Sequence, residues 1–281
     1  LPKACAHARG MGWTVAPVKR GGHASEKRGR VMDFGLKGKP CIVTGGASGI
    51  GEAIVQDLVA EGAKVIVIDK NPGKVAQIAT SVTLDLTDDA ACAAALRDIR
   101  AEFGTIYGLV NNAGLNDGVG LEAGPDAFRA SLNLNLVQYY TLMHHLHHDL
   151  RASRGAVVNV ASKTAVTGQG GTSAYVAAKA GVLGLTREWA AELASEGVRV
   201  NAVLPAEVMT PMYQNWLSTL PDPDGMRGKI EAAIPLSRRM TESAEIAAMV
   251  VFLLSARSGH TTGQWMFVDG GYVHLDRKLS L

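Results

Sequence analysis

The sequence contains few of the features that mark several common classes of protein. Its 281 residues include three cysteines, spaced neither as a disulfide framework nor as a metal-binding pair, which favours a reducing, cytoplasmic setting. Glycine (32) and proline (10) are too few for a low-complexity chain. The longest uninterrupted apolar run, 246–254, has nine residues, whereas a membrane-spanning helix needs about 20. We therefore expect a soluble globular protein with no membrane segment.

Charged residues are also scarce, at 19% against 47% hydrophobic residues, and they are unevenly distributed. Residues 1–31 carry seven basic side chains and one acidic one, whereas the remaining residues carry 21 basic and 25 acidic side chains. A mildly acidic body argues against nucleic acid as the main partner. Residues 1–31 show no sustained period, and we predict a disordered extension before a domain at 32–281. A transit peptide or a functional basic arm are the alternatives.

Beyond Lys39, short β-branched runs alternate with stretches of helical periodicity. The predicted strands are 41–43, 65–68, 82–84, 109–110, 156–160, 198–203 and 265–268. The predicted helices are 50–60, 88–103, a long helix ending near 151, 173–195 and 242–254. Seven apolar strands separated by helices predict one doubly wound α/β domain, in which helices cover both faces of a parallel sheet.

A glycine-rich turn follows the first predicted strand and enters a helix. It reads Thr-Gly-Gly-Ala-Ser-Gly-Ile-Gly over 44–51. Glycines allow a tight turn and a close approach of backbone to a pyrophosphate at the helix N-terminus. Asp69 closes the second strand 18 residues after Gly51, where an acid accepts hydrogen bonds from the adenosine ribose and repels a 2′-phosphate. The pattern predicts a Rossmann-type dinucleotide site that prefers NAD, although the neighbouring Lys70 weakens the case against NADP.

A tyrosine and a lysine follow at helical spacing. Tyr175 and Lys179 are four residues apart and so share a helix face. An ammonium close to a phenol stabilises phenolate, which would let Tyr175 act as a general base. Ser162 lies 13 residues earlier, just past the fifth strand, where its hydroxyl could bind a reacting oxygen. Alone, each residue is more often structural; together they predict alcohol–carbonyl chemistry.

These motifs resemble those of the short-chain dehydrogenase/reductase family over about 32–272. The resemblance rests on the turn at 44–51, on Asn-Asn-Ala-Gly at 111–114, and on Ser162 ahead of Tyr-Val-Ala-Ala-Lys at 175–179. It implies a fourth catalytic residue, an asparagine on the long helix. Asn135 has the expected spacing of 27 residues to Ser162, whereas Asn133 is two residues off.

The resemblance also implies cofactor contacts. Asp85 would lie at the adenine, Asn112 near the adenosine ribose, and Lys179 at the nicotinamide ribose. The cofactor-binding residues expected in all are Gly45, Ser48, Gly49, Ile50, Gly51, Asp69, Asp85, Leu86, Asn112, Ala113, Gly114, Tyr175, Lys179, Pro205, Val208 and Thr210. The family usually has Pro-Gly after its sixth strand, but Ala206 follows Pro205 here, which leaves the geometry of that loop open.

Three further segments resemble the subgroup of bacterial L-fucose dehydrogenases, which oxidise the C1 hydroxyl of a pyranose to a lactone. They are 162–169, 205–211 and 267–276. A sugar needs several paired donors and acceptors, because an unsatisfied buried polar group costs about 1–3 kcal/mol. The candidate substrate residues are Asn116, Asp117, Gln169 and Glu207, of which Glu207 could equally be a solvated loop acid. A ketoacyl or steroid reductase, and a nucleotide-binding protein without catalysis, remain alternatives.

Four histidines crowd the long predicted helix. They are His144, His145, His147 and His148. The spacing of His144 and His148 could bind a metal, but no acid-and-histidine motif surrounds them, and the resemblance implies no catalytic metal. We expect packing or subunit contact instead. By resemblance, this helix and the one carrying Tyr175 form the interfaces of a homotetramer.

Overall fold

The computed structural model describes residues 33–275. The predicted extension, 1–31, lies outside the described residues, and the proposed domain boundary after residue 31 stays a prediction. Within the described part of the chain, seven strands form one sheet in which every pairing is parallel. This confirms the doubly wound α/β class predicted from the alternation of strands and helices.

The strands stand in the order β3-β2-β1-β4-β5-β6-β7. Their bounds are β1 Pro40–Thr44, β2 Lys64–Asp69, β3 Thr80–Thr83, β4 Gly108–Asn111, β5 Ala156–Val160, β6 Arg199–Pro205 and β7 Trp265–Val268. The chain runs outward from β1 to β3, then returns to the centre and continues from β4 to β7. This reversal opens a crevice beyond the carboxyl ends of β1 and β4, where doubly wound sheets bind their ligands.

The helices cover both faces of the sheet. They are α1 Gly49–Ala60, α2 Asp89–Phe103, α3 Gly124–Leu132, α4 Gln138–Ser153, α5 Ser173–Leu193, α6 Pro211–Ser218, α7 Pro223–Ala232 and α8 Ser243–Leu254. A five-residue π-helical segment, Asn133–Val137, joins α3 to α4. Within residues 33–275, no helix is long and apolar enough to cross a membrane.

Side chains that alternate along each strand pack into two separate cores, one on each face of the sheet. In β1, Ile42 packs into the core that also contains residues of α2, α4 and α5. Its neighbours Cys41 and Val43 point to the opposite face and pack with α1 and α8. Strand residues point alternately to the two faces, so a central strand buried on both sides must be apolar throughout. That requirement explains why the strands were readable from the sequence.

Three local predictions differ from the structure. The third strand occupies Thr80–Thr83 rather than 82–84, because its register is set by pairing Ile66 with Thr80 at a sheet edge with little apolar signal. The long predicted helix is divided by the π-helical segment. Helices α6 and α7 were not predicted. Each begins with a cap residue followed by proline, Thr210-Pro211 and Asp222-Pro223, which is a start signal the sequence did offer.

Candidate active site

A cleft of about 520 Å³ lies at the carboxyl ends of the strands and is lined by every cofactor-binding residue predicted from the sequence. It extends from the glycine-rich turn after β1 to the loop after β6. Three of the four predicted catalytic residues, Ser162, Tyr175 and Lys179, line the same cleft. The structure therefore brings the expected dinucleotide site and the expected catalytic side chains into one cavity.

The glycine-rich turn is shaped by close approaches of backbone. Gly45 and Gly49 have φ values of +60° and +57°, a region that side chains disfavour. Gly51 has no room for a side chain, because an added Cβ would lie 2.0 Å from the Gly45 carbonyl oxygen. The first N–H groups of a helix have no partner within it. The start of α1 thus offers donors to an anion in the cleft.

Asp69, at the end of β2, holds the turn in place. Its Oδ2 accepts a hydrogen bond from the Ala47 N–H at 3.1 Å, and its Oδ1 accepts one from the Asn71 N–H at 3.1 Å. The carboxylate also lines the cleft. The side chain of Asp69 is therefore held in one position in the cleft lining. Its contact with the adenosine ribose stays a prediction.

Lys70, which complicates the cofactor preference, pairs with Asp85. Its Nζ lies 2.9 Å from Asp85 Oδ2, and both side chains are substantially exposed. The Thr87 N–H donates to Asp85 Oδ1 at 3.0 Å. This backbone hydrogen bond, with the Lys70 ammonium and the Thr87 hydroxyl, lowers the pKa of Asp85 to about 2. Asp85 is thus ionised at neutral pH. It would compete with a 2′-phosphate for the ammonium of Lys70.

Asn112 ties the ends of β1 and β4 together. Its Nδ2 donates to the carbonyl oxygens of Thr44 at 3.0 Å and Gly45 at 2.9 Å. The Thr44 hydroxyl in turn accepts from the N–H groups of Asn112 and Ala113. Both N–H groups of the Asn112 side-chain amide are therefore used within the protein. Its role in the cleft lining is to hold the ends of the two strands together.

Ser162 and Tyr175 form the reactive pair. Ser162 follows β5, and Tyr175 lies in the first turn of α5. Burial raises the pKa of Tyr175 to about 12, and a hydrogen bond with Ser162 acts in the opposite direction. Two hydroxyl groups joined in this way can bind one reacting oxygen, and the phenol can exchange a proton with it.

Lys179 is buried beside this pair, one turn further along α5. Its Nζ donates to the Val160 carbonyl at 2.8 Å and to the Tyr139 hydroxyl at 3.0 Å, and lies 5.7 Å from the centre of the Tyr175 ring. Burial lowers the pKa of Lys179 to about 7. The sequence predicted that Lys179 depresses the pKa of Tyr175. In the structure, loss of solvation outweighs that effect, because burial disfavours both charged forms.

Asn135 lies in the π-helical segment, fully buried and outside the cleft lining. Its Oδ1 accepts from the Leu115 N–H at 2.8 Å, and its Nδ2 donates to the Ser131 carbonyl at 3.1 Å. Gly114 separates it from Lys179: a Cβ there would lie 2.9 Å from Asn135 Oδ1 and 3.4 Å from Lys179 Nζ. The catalytic role that the resemblance implies for Asn135 stays a prediction.

The four predicted substrate residues are not brought together. Asn116 lines the cleft, whereas Asp117, Gln169 and Glu207 do not. Asp117 accepts a hydrogen bond from the Ser131 hydroxyl at 3.0 Å, and Gln169 is exposed. Of the four, Asn116 alone is placed to meet a substrate directly in this geometry.

Glu207 is neither a solvated acid nor a lining residue. One carboxylate oxygen pairs with Lys163, and the other accepts a hydrogen bond from the Tyr213 hydroxyl at 2.7 Å. Lys163 also lies over the ring of Tyr272, 4.0 Å from its centre. The Glu207 carboxylate thus ties the loop after β5 to α6 behind the cleft wall.

Sequence reasoning missed several residues that line the cleft. They include Leu115, Leu134, Gln138, Met212 and Tyr213. Met212 and Tyr213 belong to α6, whose capping signal at Thr210 could have placed them. Leu115, Leu134 and Gln138 carry no comparable signal, because ordinary apolar or amide side chains acquire a site role only through the tertiary fold.

The histidines of α4 contact one another and a neighbouring tyrosine. The ring of His144 stacks on Tyr140 with centroids 6.1 Å apart, and the rings of His147 and His148 lie 3.9 Å apart. In the described part of the chain, no group of three or more His, Cys, Asp or Glu side chains could hold a metal ion.

The chain is similar to known proteins in sequence and in fold. The family model described as "Enoyl-(Acyl carrier protein) reductase" matches residues 45–273. The 3-oxoacyl-[acyl-carrier-protein] reductase FabG of Thermotoga maritima is 34% identical, with 85% of this chain and 99% of the relative covered. The L-fucose dehydrogenase of Bos taurus is 36% identical, covering 83% of this chain and 89% of the relative.

A solved structure supports the same grouping. Ligand-free aldohexose dehydrogenase of Thermoplasma acidophilum superposes with a TM-score of 0.81 at 31% identity, covering 88% of this chain and 98% of that one. The chain belongs to the short-chain dehydrogenase/reductase family. It is an oxidoreductase of CH–OH groups that uses a nicotinamide cofactor, NAD or NADP.

Proposed function

We propose that this protein oxidises the C1 hydroxyl of an aldose pyranose resembling L-fucose to the lactone, with NAD as hydride acceptor. The observation that carries the chemistry is that Ser162, Tyr175 and Lys179 line the same cleft as the glycine-rich turn. The sugar is supported by the resemblance to L-fucose dehydrogenase and to aldohexose dehydrogenase.

The reaction removes two electrons and two hydrogens from the sugar. The glycine-rich turn and Asp69 would hold a nicotinamide cofactor, which would supply the acceptor for the C1 hydrogen as hydride. The hydroxyl proton would pass to the oxygen of Tyr175. Ser162 donates a hydrogen bond to the reacting oxygen and keeps it close to Tyr175. When Lys179 is charged, its ammonium would favour the phenolate form of Tyr175 that takes the proton, against the burial that disfavours both charges.

Polar groups in the cleft supply partners for the other sugar hydroxyls. Asn116 and Tyr213 both line it. Because the Tyr213 hydroxyl donates to Glu207, its oxygen remains available as an acceptor. Glu207 would then act on the substrate through Tyr213, rather than by the direct contact predicted from the sequence.

A panel of aldoses tests the proposal directly. Purified protein is mixed with NAD and each sugar, and the absorbance of reduced nicotinamide is followed over time. We expect L-fucose or a stereochemically related aldose to give the largest kcat/KM, and the Tyr175→Phe protein to show the background. Absence of turnover with every aldose, together with turnover of another alcohol, would overturn the sugar assignment.

Reduction of a 3-oxoacyl thioester is the second candidate. Leu115 and Met212 line the cleft, and they are 41% and 53% exposed. An apolar rim of this kind could bind an acyl chain, and the FabG relative is as similar as the fucose dehydrogenase. Consumption of NADPH with acetoacetyl thioesters, at a higher kcat/KM than any aldose reaches with NAD, would favour this reductase.

Cofactor preference gives a sharper prediction. If Asp69 repels a 2′-phosphate, the wild type should use NAD with at least about tenfold higher kcat/KM than NADP, equivalent to roughly 1.4 kcal/mol. The Asp69→Ala protein should lose most of that difference. Asp98→Ala removes an exposed carboxylate on α2, outside the cleft lining, and should leave the ratio unchanged. Equal use of both cofactors by the wild type would contradict this role of Asp69.

Assembly is a separate prediction. We propose a homotetramer with two-fold axes in which α4 and α5 form interfaces. Tyr140 on α4 is 54% exposed, and Val137, three residues earlier, is 40% exposed; these two side chains support an interface on this face. Light scattering should show four subunits at micromolar concentration, and Tyr140→Lys should reduce the mass. A wild type that stays monomeric would refute the proposal.

A further inference from the structure

Tyr139 makes the only side-chain hydrogen bond to Lys179 recorded among the described residues. Tyr139 lies in the first half of α4 and is 1% exposed. Its hydroxyl accepts from Lys179 Nζ at 3.0 Å and donates to the Val160 carbonyl at 3.2 Å. Because Lys179 Nζ also donates to that carbonyl at 2.8 Å, the three groups form a closed triangle at the end of β5.

This triangle fixes the direction of the ammonium. An ammonium has three N–H donors, and two of those of Lys179 point to Val160 and Tyr139. One remains for a partner in the cleft, which Lys179 also lines. A flexible lysine side chain held at two points loses little further freedom when it binds a third partner.

Asn135, the predicted catalytic asparagine, forms its recorded hydrogen bonds with residues other than Lys179. Asn135 Oδ1 accepts from Leu115, and its Nδ2 donates to Ser131. Tyr139 lies four residues later and reaches Lys179 instead. Within residues 33–275, the titratable groups recorded next to Lys179 are Tyr139 of α4, which is hydrogen-bonded to it, and Tyr175 of α5, whose ring centre is 5.7 Å away.

We infer that Tyr139 is a positioning residue for the reaction: its hydroxyl holds the Lys179 ammonium in place, in its charged form, beside Tyr175. Burial raises the pKa of Tyr139 well above its ordinary value, so its hydroxyl stays protonated and does not itself act as a base. Burial disfavours the charge on Lys179, and an oxygen acceptor partly offsets that loss. The link to turnover rests on the proposed function; the contact with Lys179 does not.

Competitive labelling tests the contact without substrate or cofactor. The cofactor-free protein reacts with trace acetic anhydride across a pH series, and mass spectrometry of the Lys179 peptide gives the pH at which the amine becomes neutral. Tyr139→Phe keeps the ring and removes the acceptor, so this midpoint should move down by about one unit, a tenfold change in the equilibrium. Tyr140→Phe removes the hydroxyl of the next residue, which has no recorded contact with Lys179, and should leave the midpoint unchanged.

The pH profile of oxidation provides the second readout. With less positive charge beside it, Tyr175 loses its proton at higher pH, so the rising limb of kcat should move upward in Tyr139→Phe. Near neutral pH, kcat should fall by about tenfold, as expected for one pKa unit, while the KM for the sugar stays constant. A structural role alone would lower the melting temperature and leave both midpoints in place.

The outcomes separate the two proposals. A Lys179 midpoint identical in wild type and Tyr139→Phe, with melting curves showing both folded, would overturn the role of Tyr139. A midpoint that moves as expected supports the role even if the protein oxidises no aldose, because the labelling requires no turnover. If aldoses are oxidised and the midpoint does not move, the proposed function stands and the positioning role falls.

Discussion

Replacing Tyr175 by phenylalanine should lower kcat for oxidation of the best aldose by about 10²–10⁴-fold, the usual contribution of general acid–base catalysis. Phenylalanine keeps the ring and removes the hydroxyl that would exchange a proton with the substrate in the cleft lined by Ser162 and Lys179. No other tyrosine replaces it: Tyr139 is buried against Lys179 and Val160, and Tyr213 donates to Glu207.

The defect should be confined to the chemical step. The glycine-rich turn and Asp69 line the cleft independently of Tyr175 and would supply most of the cofactor contacts. The dissociation constant for NAD, measured by calorimetry, should therefore change by less than about tenfold. Wild-type kcat should rise with pH through a single ionisation that the Tyr175→Phe protein lacks. Tyr140→Phe is the matched control, and near-normal kcat in Tyr175→Phe would remove the assignment.

Much of the cleft lining could be predicted because its residues lie in short stretches of backbone at the ends of strands. The turn at 44–51 is encoded by local glycines, and Asp69 by its place at a strand end. The carboxyl ends of parallel strands lie at one edge of a sheet, so residues that follow different strands converge without any long-range information in the sequence. This convergence places the predicted cofactor residues in one cleft.

The substrate side could not be predicted in the same way. Whether Glu207 meets a sugar or a lysine depends on the packing of the loops after β5 and β6, whose residues 163 and 207 are 44 positions apart. A carboxylate this buried requires a charged partner, and Lys163 provides it. The sequence supplies both charges but not their pairing.

The contact between Tyr139 and Lys179 was hidden for a related reason. Asn135 and Tyr139 are four residues apart, across the junction of the π-helical segment with α4. A π-helical turn changes which side chains share a face, and single-sequence periodicity does not reveal it. Spacing to Ser162 selected Asn135 as the candidate catalytic asparagine. The contact of Tyr139 with Lys179 could be found only from the folded structure.

Gly51 should be the least replaceable of the glycines in the turn. An added Cβ would lie 2.0 Å from the Gly45 carbonyl oxygen and 2.6 Å from Asn112 Nδ2. The first of these is backbone at a position with positive φ, and the second donates to both Thr44 and Gly45. Neither the Gly45 carbonyl nor the Asn112 amide can move away without breaking the hydrogen bonds that connect the ends of β1 and β4.

We therefore expect Gly51→Ala to lower the free energy of unfolding by about 3 kcal/mol or more, the upper range for overpacking. The displaced turn should also weaken NAD binding by at least about tenfold, or roughly 1.4 kcal/mol. Gly228→Ala is the matched control, because a Cβ there meets nothing within 4 Å and the residue lies inside α7.

The control substitution should change the free energy of unfolding in the opposite direction. Alanine is a better helix former than glycine by about 1 kcal/mol, so Gly228→Ala should stabilise the protein while leaving NAD binding unchanged. Urea denaturation of the two variants and the wild type measures the stability difference, and calorimetry measures the affinity. If Gly51→Ala matched the wild type in both measurements, the close approach of α1 to the end of β1 would not be the feature that shapes the cofactor site.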